Sequence, residues 1–239
     1  MKQVISMHGW LGCTQEWHPW QKSFETNGWF WQNGDRGYWS EKEIIPTWIC
    51  SKSGNTSNIK VAICHSMGIH LLPPRIIKEA NLVILINGFG QFIPQSNLGK
   101  IIQNNISKLK SAIGTETEYE VLNSFFKKTI YNKSNKHENI LDKKSITPNG
   151  RKKLLIDLNY LVKCTGLPKE FPKNARILTI TSLLDEIVIP EVSKLLIKEL
   201  KISTNSKTTH WALEEEGHYP KNPLLINKVI QWLKFYDEK

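Results

Sequence analysis

Long apolar runs are missing from this 239-residue chain. No stretch approaches the roughly 20 apolar residues that cross a bilayer, so the sequence reads as that of a soluble protein. Cysteine is sparse as well. Cys13, Cys50, Cys64 and Cys164 form no CxxC pair and no cluster with histidine at metal-ligand spacing, which argues against a zinc site, and no metal or other cofactor is expected. With no secretory leader at the N-terminus, the four are expected as free thiols in a reducing cytoplasm. Acidic residues are outnumbered, 22 Asp+Glu against 32 Lys+Arg, for a formal charge of +10. That surplus suits an acidic partner without choosing among nucleic acid, anionic lipid and an acidic protein. No nucleic-acid-binding motif accompanies it, and the aromatic residues cluster away from the lysines.

What is present is an alternation of short apolar runs and helix-period segments, at a length that suits one α/β domain carrying an insertion. Gln3–Met7, Gly28–Gln32, Val61–Cys64, Leu82–Ile86, Ala175–Thr181 and Thr208–Leu213 read as strands. Leu82–Ile86 is continuously apolar, as a parallel strand covered on both faces requires. Trp17, Trp20 and Phe24 recur at spacings of three and four and mark one buried helix face, and Leu224 to Leu233 carry the stripe of a terminal helix. Asn33-Gly34 and the residues after it read as a turn, and Ser51–Asn58 as a polar loop. Pro73-Pro74 predicts a helix break at Leu72 and a fresh start through Ile76–Lys78.

Between 91 and 172 the strand signal nearly vanishes. Helical stretches at Ile101–Ile113, Glu118–Ile130 and Arg151–Val162 alternate with Asn-, Lys- and Ser-rich linkers, which reads as a helical lid inserted into a core of residues 1–90 and 173–239. Residues 100–173 hold fifteen Lys+Arg and seven Asp+Glu, so the lid carries +8 of the chain's +10. Pairs such as Lys127/Lys128 and Lys143/Lys144 and the run Arg151/Lys152/Lys153 dominate it. A solvated lid surface explains this charge as readily as a docking face does.

Around Ser66 the pattern is strand, sharp turn, helix: Val61-Ala62-Ile63-Cys64, then His65-Ser66-Met67-Gly68 and a second apolar segment. Such a turn lifts a serine onto the carboxyl edge of a sheet, and small residues two before and two after it, here Cys64 and Gly68, let strand and helix approach. Read by itself, Ser66 caps a helix equally well. His8-Gly9-Trp10 follows the first strand, Leu184-Asp185-Glu186-Ile187-Val188-Ile189-Pro190 follows the fifth, and Gly217-His218-Tyr219-Pro220 follows the last. Taken together these resemble the α/β-hydrolase superfamily from end to end of the core: the HG-x motif, the nucleophile elbow, the G-x-x-D-x-x-V-P acid loop and the histidine loop, in the superfamily's order of serine, acid, histidine. The loop at Asp35–Trp39 is similar to its D-x-x-G-x-G loop, with Trp39 where a glycine is common.

The resemblance implies a mostly parallel α/β-hydrolase sheet lacking the usual first two strands. It implies Ser66 as nucleophile, His218 as base, Asp185 as the acid with Glu186 as the fallback, and an oxyanion hole formed by the N–H groups of Trp10 and Met67. His65 and His70 are expected to pack near the elbow and His8 to brace its loop, while His18, His137 and His210 carry no motif. His-Gly-Trp, a small lidded core and a basic lid further resemble the pimeloyl-[acyl-carrier protein] methyl ester esterases of biotin synthesis. That likeness implies a pimeloyl methyl ester carried through phosphopantetheine on an acidic acyl carrier protein, with Arg151, Lys152 and Lys153 the first candidates for carrier binding and no membrane partner. A general short-chain carboxylesterase or thioesterase stays open, as does a non-catalytic binding protein on the same fold.

Overall fold

The computed structural model describes residues 1–50, 58–129, 141, 144–205, 208–220 and 222–234. Most of the Ser51–Asn58 loop, together with His137 and Lys143, lies outside the described residues. Six strands form one sheet: β1 (Lys2–Met7), β2 (Phe30–Gly34), β3 (Ile59–His65), β4 (Leu82–Ile86), β5 (Arg176–Ser182) and β6 (Thr208–Leu213), in the order β2-β1-β3-β4-β5-β6. Every pairing among them is parallel. All six carboxyl ends therefore open on one edge. The chain moves outward from β1 to β2 and then returns to β3 on the other side, so a topological switch lies between β1 and β3. Crevices outside such a switch are where α/β sheets bind ligands.

Alternating side chains send the strands' apolar residues to opposite faces. On one face Val4, Val61, Ile63 and Ile84 pack with Trp20 and Phe24 of α1 (His18–Thr26) and with Val229 and Leu233 of α8 (Pro223–Lys234). On the other, Ile5, Ala62, Cys64 and Leu85 pack with Ile69 of α2 (Gly68–Leu71), Ile76 and Ile77 of α3 (Pro74–Lys78), and Leu196 and Leu200 of α7 (Pro190–Ser203). Both faces are covered, which is why the central strands are apolar without alternation. The α2–α3 break falls at Pro73, where the ring cannot continue the turn begun at Gly68. The four cysteines are free thiols. Among the described residues, no helix is long and apolar enough to cross a membrane.

One strand departs from the sequence pattern. Gly28 adopts φ +78° in the turn that closes α1, and β2 begins at Phe30 and runs through Asn33-Gly34, residues that read as a turn. Asn33 holds because its side chain is satisfied inside: its Oδ1 accepts from Ser6 Oγ and Trp31 Nε1, both at 2.7 Å, and its Nδ2 donates to Gln21 Oε1 at 3.0 Å. A half-buried amide with partners is no obstacle to a strand.

Between β4 and β5, where the sequence leads one to expect a lid, lie α4 (Asn97–Ala112), α5 (Glu118–Thr129) and α6 (Pro148–Lys163). Thr147 Oγ1 accepts the Gly150 N–H at 2.9 Å and Pro148 opens the first turn, a complete start signal for α6. These helices pack Ile106, Leu122, Leu154 and Leu158 over Trp10, Met67 and Phe89 at the carboxyl edge of the sheet. An antiparallel bridge between Gln91 and Thr165 joins the two ends of the insertion. Phe171, by contrast, packs with the core cluster under the sheet.

A buried carboxylate fastens α6 to the core. Asp157, 3% exposed, accepts Arg36 Nε and Nη2, both at 2.9 Å, and the Tyr38 hydroxyl at 2.7 Å. Asp157→Ala leaves the buried Tyr38 phenol without its acceptor and Arg36 with Glu43 alone, at 3.1 Å, and is expected to cost about 3 kcal/mol of unfolding free energy in urea titration. A loss below about 1 kcal/mol would show that the clasp does not stabilise the fold.

Candidate active site

Ser66 ends β3 in a conformation that a side chain rarely adopts, φ +52°, between His65 and the start of α2. Two glycines make that turn fit. A Cβ on Gly68 would run into the Met7 carbonyl, and a Cβ on Gly9 would lie 2.8 Å from Ser66 Cβ and 3.3 Å from its Oγ. The loop after β1 thus passes directly against the serine side chain, at the switch between β1 and β3.

The acid and histidine loops meet beside it. His218 Nδ1 lies 2.8 Å from Asp185 Oδ2, with Asp185 and His218 both 4% exposed. A carboxylate has no proton to give, so the shared proton sits on Nδ1 and leaves Nε2 bare. The other Asp185 oxygen accepts the N–H groups of Ile187 at 2.8 Å and Val188 at 2.9 Å, which fix the carboxylate plane. Glu186, the fallback acid, lines the cavity instead.

Ser66, His218, Trp10 and Met67 line one cavity of about 390 Å³, between the carboxyl edge of the sheet and the inserted helices. That size falls in the range of small-molecule sites. Among the described residues neither the N–H groups of Trp10 and Met67 nor Ser66 Oγ has a hydrogen-bond partner. Phe89, Phe92, Ile106, Phe125 and Leu158 make most of the wall apolar. The Trp10 indole is held from two sides, by its Nε1–H on Leu154 O at 3.1 Å and by Phe125 edge-on at 5.0 Å, so α5 and α6 position the loop that carries its N–H.

His8 braces that loop, as its place in the sequence suggests. Its Nδ1–H donates to Gly9 O at 2.8 Å and its Nε2 accepts the Arg36 N–H at 3.1 Å. His65 packs its ring 4.7 Å from that of His218 and donates from Nε2 to His218 O at 2.8 Å. Burial, with the neighbouring His218, holds its pKa down to about 3, so His65 is a neutral wedge behind the second histidine. His70 is likewise pushed down to about 4 by burial, and its Nε2 meets Phe89 O at 2.9 Å.

Two participants, Asn87 and Glu16, carry no motif. Asn87, at φ +46° after β4, donates from Nδ2 to His218 O at 2.8 Å and to Ser182 Oγ at 2.9 Å, and accepts the Ser182 N–H at 2.8 Å, tying three loops together. An Asn-Gly pair closing an apolar strand was its only signal, because Asn is among the few residues that tolerate this backbone region. Glu16 lines the cavity, and Tyr219 donates its hydroxyl to Glu16 O at 2.9 Å. Nothing local distinguishes Glu16 from a surface glutamate.

The basic run separates on folding. Arg151 pairs through Nε and Nη2 with Glu118, each at 2.7 Å, and Lys153 Nζ donates to Arg36 O at 2.8 Å with Glu43 3.6 Å away. Only Lys152 is exposed. Of the three carrier-binding candidates, Arg151 and Lys153 are thus engaged with protein partners on α5 and on the loop after β2, which leaves Lys152 facing solvent. Lys108 and Lys128, exposed on α4 and α5, instead line the cavity.

No family model matches the sequence, and no curated protein does. Solved structures do. The chain is similar to a bromoperoxidase from Bacillus anthracis (TM-score 0.69, 15% identity, 98% of this chain and 92% of that one). It is similar also to an esterase from Exiguobacterium antarcticum (TM-score 0.63, 12% identity, 98% and 92%) and to carboxylesterases of Nitrososphaera gargenis (TM-score 0.64, 12% identity, 99% and 91%). The fold is that of the α/β-hydrolases. In that fold Ser66 stands at the elbow after β3, and the sheet corresponds to one without the two strands that usually precede β1.

Proposed function

We propose that this chain is a serine ester hydrolase. The observation that carries the reading is the Asp185–His218 pair at 2.8 Å, opening on the same cavity as a serine at a left-handed turn. A neutral hydroxyl is a poor nucleophile, so His218 Nε2 takes the Ser66 proton as Oγ attacks the ester carbonyl. Asp185 holds the imidazole tautomer and stabilises the imidazolium. The oxyanion is received by the Trp10 and Met67 N–H groups, each worth roughly 3 kcal/mol in the transition state. His218 returns the proton to the departing alcohol, and the Ser66 acyl ester remains. Water, deprotonated by His218, attacks that acyl group and releases the carboxylate with Ser66 restored.

For the substrate we propose the methyl ester of a pimeloyl chain on an acyl carrier protein. The apolar wall suits an acyl chain, and Lys108 and Lys128 at the cavity, with Lys152 outside it, suit an acidic carrier chiefly through encounter and orientation. The test is methanol release from the carrier-linked methyl ester beside a free short-chain methyl ester, at low and high salt. Lys108→Ala/Lys128→Ala is expected to lower kcat/KM about tenfold on the carrier-linked ester at low salt and to leave the free ester nearly unchanged. Equal, salt-insensitive cleavage of both esters would leave a general carboxylesterase.

A further inference from the structure

Glu16 is an ionisable group of the cavity for which the ester mechanism has no use. It sits on the 3-10 turn Thr14–Trp17, directly after the loop that carries the Trp10 N–H, and its Oε1 accepts the Cys13 N–H at 3.2 Å. Its own carbonyl accepts the Tyr219 hydroxyl, which ties the turn to the neighbour of His218. The groups that face it are His8 and Asp35 from the ends of β1 and β2, Cys13 on its own turn, and His218 and Tyr219 from the loop after β6. Burial raises the Glu16 pKa to about 7, against the pull of His8 and His218 in the other direction.

Ester hydrolysis turns a neutral acyl ester and water into an alcohol, a carboxylate and a proton. The one new charge on the substrate side is an anion, formed next to Ser66 in the cavity that Glu16 lines. We propose that Glu16 is a specificity-determining residue which, when ionised, rejects carboxylates from the cavity, so that the site accepts a neutral ester and expels the acid it makes. The proposal rests on the ester-hydrolase reading for its biological sense, but its physics needs only the cavity and the carboxyl. Like charges brought together in a partly desolvated site repel far more strongly than in water. Above neutral pH the Glu16 charge opposes the product. Below it, the protonated carboxyl becomes a hydrogen-bond donor that welcomes it.

The probes are hexanoate and its neutral isostere hexanamide, titrated calorimetrically into Ser66→Ala and Ser66→Ala/Glu16→Gln at pH 6 and pH 8. Gln keeps the acceptor for the Cys13 N–H. With Glu16 present, hexanoate is expected to bind about tenfold more weakly at pH 8 than at pH 6, and Glu16→Gln should remove most of that change. The decisive comparison is between the two proteins at pH 8, because the histidines that face Glu16 titrate with it and do not cancel across pH. Hexanamide is expected to bind alike in both proteins at both pH values. Hexanoate binding no tighter to the double variant than to Ser66→Ala at pH 8, absent binding included, would overturn the proposal. So would hexanamide following hexanoate, since Glu16→Gln would then only have reshaped the cavity. Turnover of methyl hexanoate by the unsubstituted protein is measured alongside. No turnover combined with Glu16-dependent rejection of hexanoate would sink the ester-hydrolase reading and leave the charge sorting standing.

Discussion

Ser66→Ala is expected to lower ester turnover by about 10⁵-fold or more, with His218→Ala costing a similar factor and the double variant scarcely more than either alone. The non-additivity follows from the division of labour. An imidazole with no hydroxyl to deprotonate and a hydroxyl with no base to take its proton are equally idle, so the second removal has little left to remove. What survives is binding in the cavity and the two N–H donors of Trp10 and Met67, which polarise the carbonyl for attack by water. Stopped-flow release of p-nitrophenol from a short-chain ester reads both phases: the burst that reports the acyl-enzyme vanishes with Ser66, and the slow steady rate remains. Calorimetric melting is expected to change little, because Ser66 Oγ holds no hydrogen bond among the described residues. A Ser66→Ala protein within tenfold of the unsubstituted rate would place the chemistry elsewhere in the cavity.

Asp185→Asn is expected to be nearly as damaging, about 10⁴-fold in kcat, with the fold intact. The reason is the orientation imposed from behind. Ile187 and Val188 aim two N–H groups at Asp185 Oδ1, so an asparagine settles with its amide oxygen toward them and its NH₂ toward His218. An NH₂ can only donate, so Nδ1 must accept and the ring proton moves to Nε2. That is the nitrogen needed to receive the Ser66 proton, and it is then already occupied. The loss should ease as pH rises above 9, where hydroxide supplements the missing base, while KM for a neutral ester stays within a few fold. A drop below tenfold would mean that the carboxylate neither orients nor charges the imidazole.

The elements nearest the site were legible for local reasons. Continuous apolar runs at Leu82–Ile86 and around Val61–Cys64 suit covered parallel strands, and the Pro73-Pro74 break shows in the residues themselves because a proline ring is tolerated in a helix's first turn but clashes in its interior. Ser66, Asp185 and His218 stood out by their resemblance to the α/β-hydrolase motifs, each after its own strand, and a parallel sheet delivers every such loop to one edge. Asn33-Gly34 was read wrongly as a turn, since the partners that satisfy Asn33 come from residues 6, 21 and 31 and have no trace at its own position.

The lid charge shows the same boundary from the other side. Arg151-Lys152-Lys153 has the composition of a patch, but consecutive residues on a helix point about 100° apart, so one reaches Glu118, one the Arg36 carbonyl and one the solvent. By itself the sequence determined the parallel α/β core and the order of its loops, because those follow from periodicity and chain order, while Ser66, Asp185 and His218 were proposed from their resemblance to the α/β-hydrolase motifs. Only the tertiary structure decided which lysines reach the cavity, that Asn87 and His65 hold the histidine loop, and that Glu16 shares the space with Ser66. Each of these depends on distance between residues far apart in the chain, and distance is set by packing that no local pattern encodes.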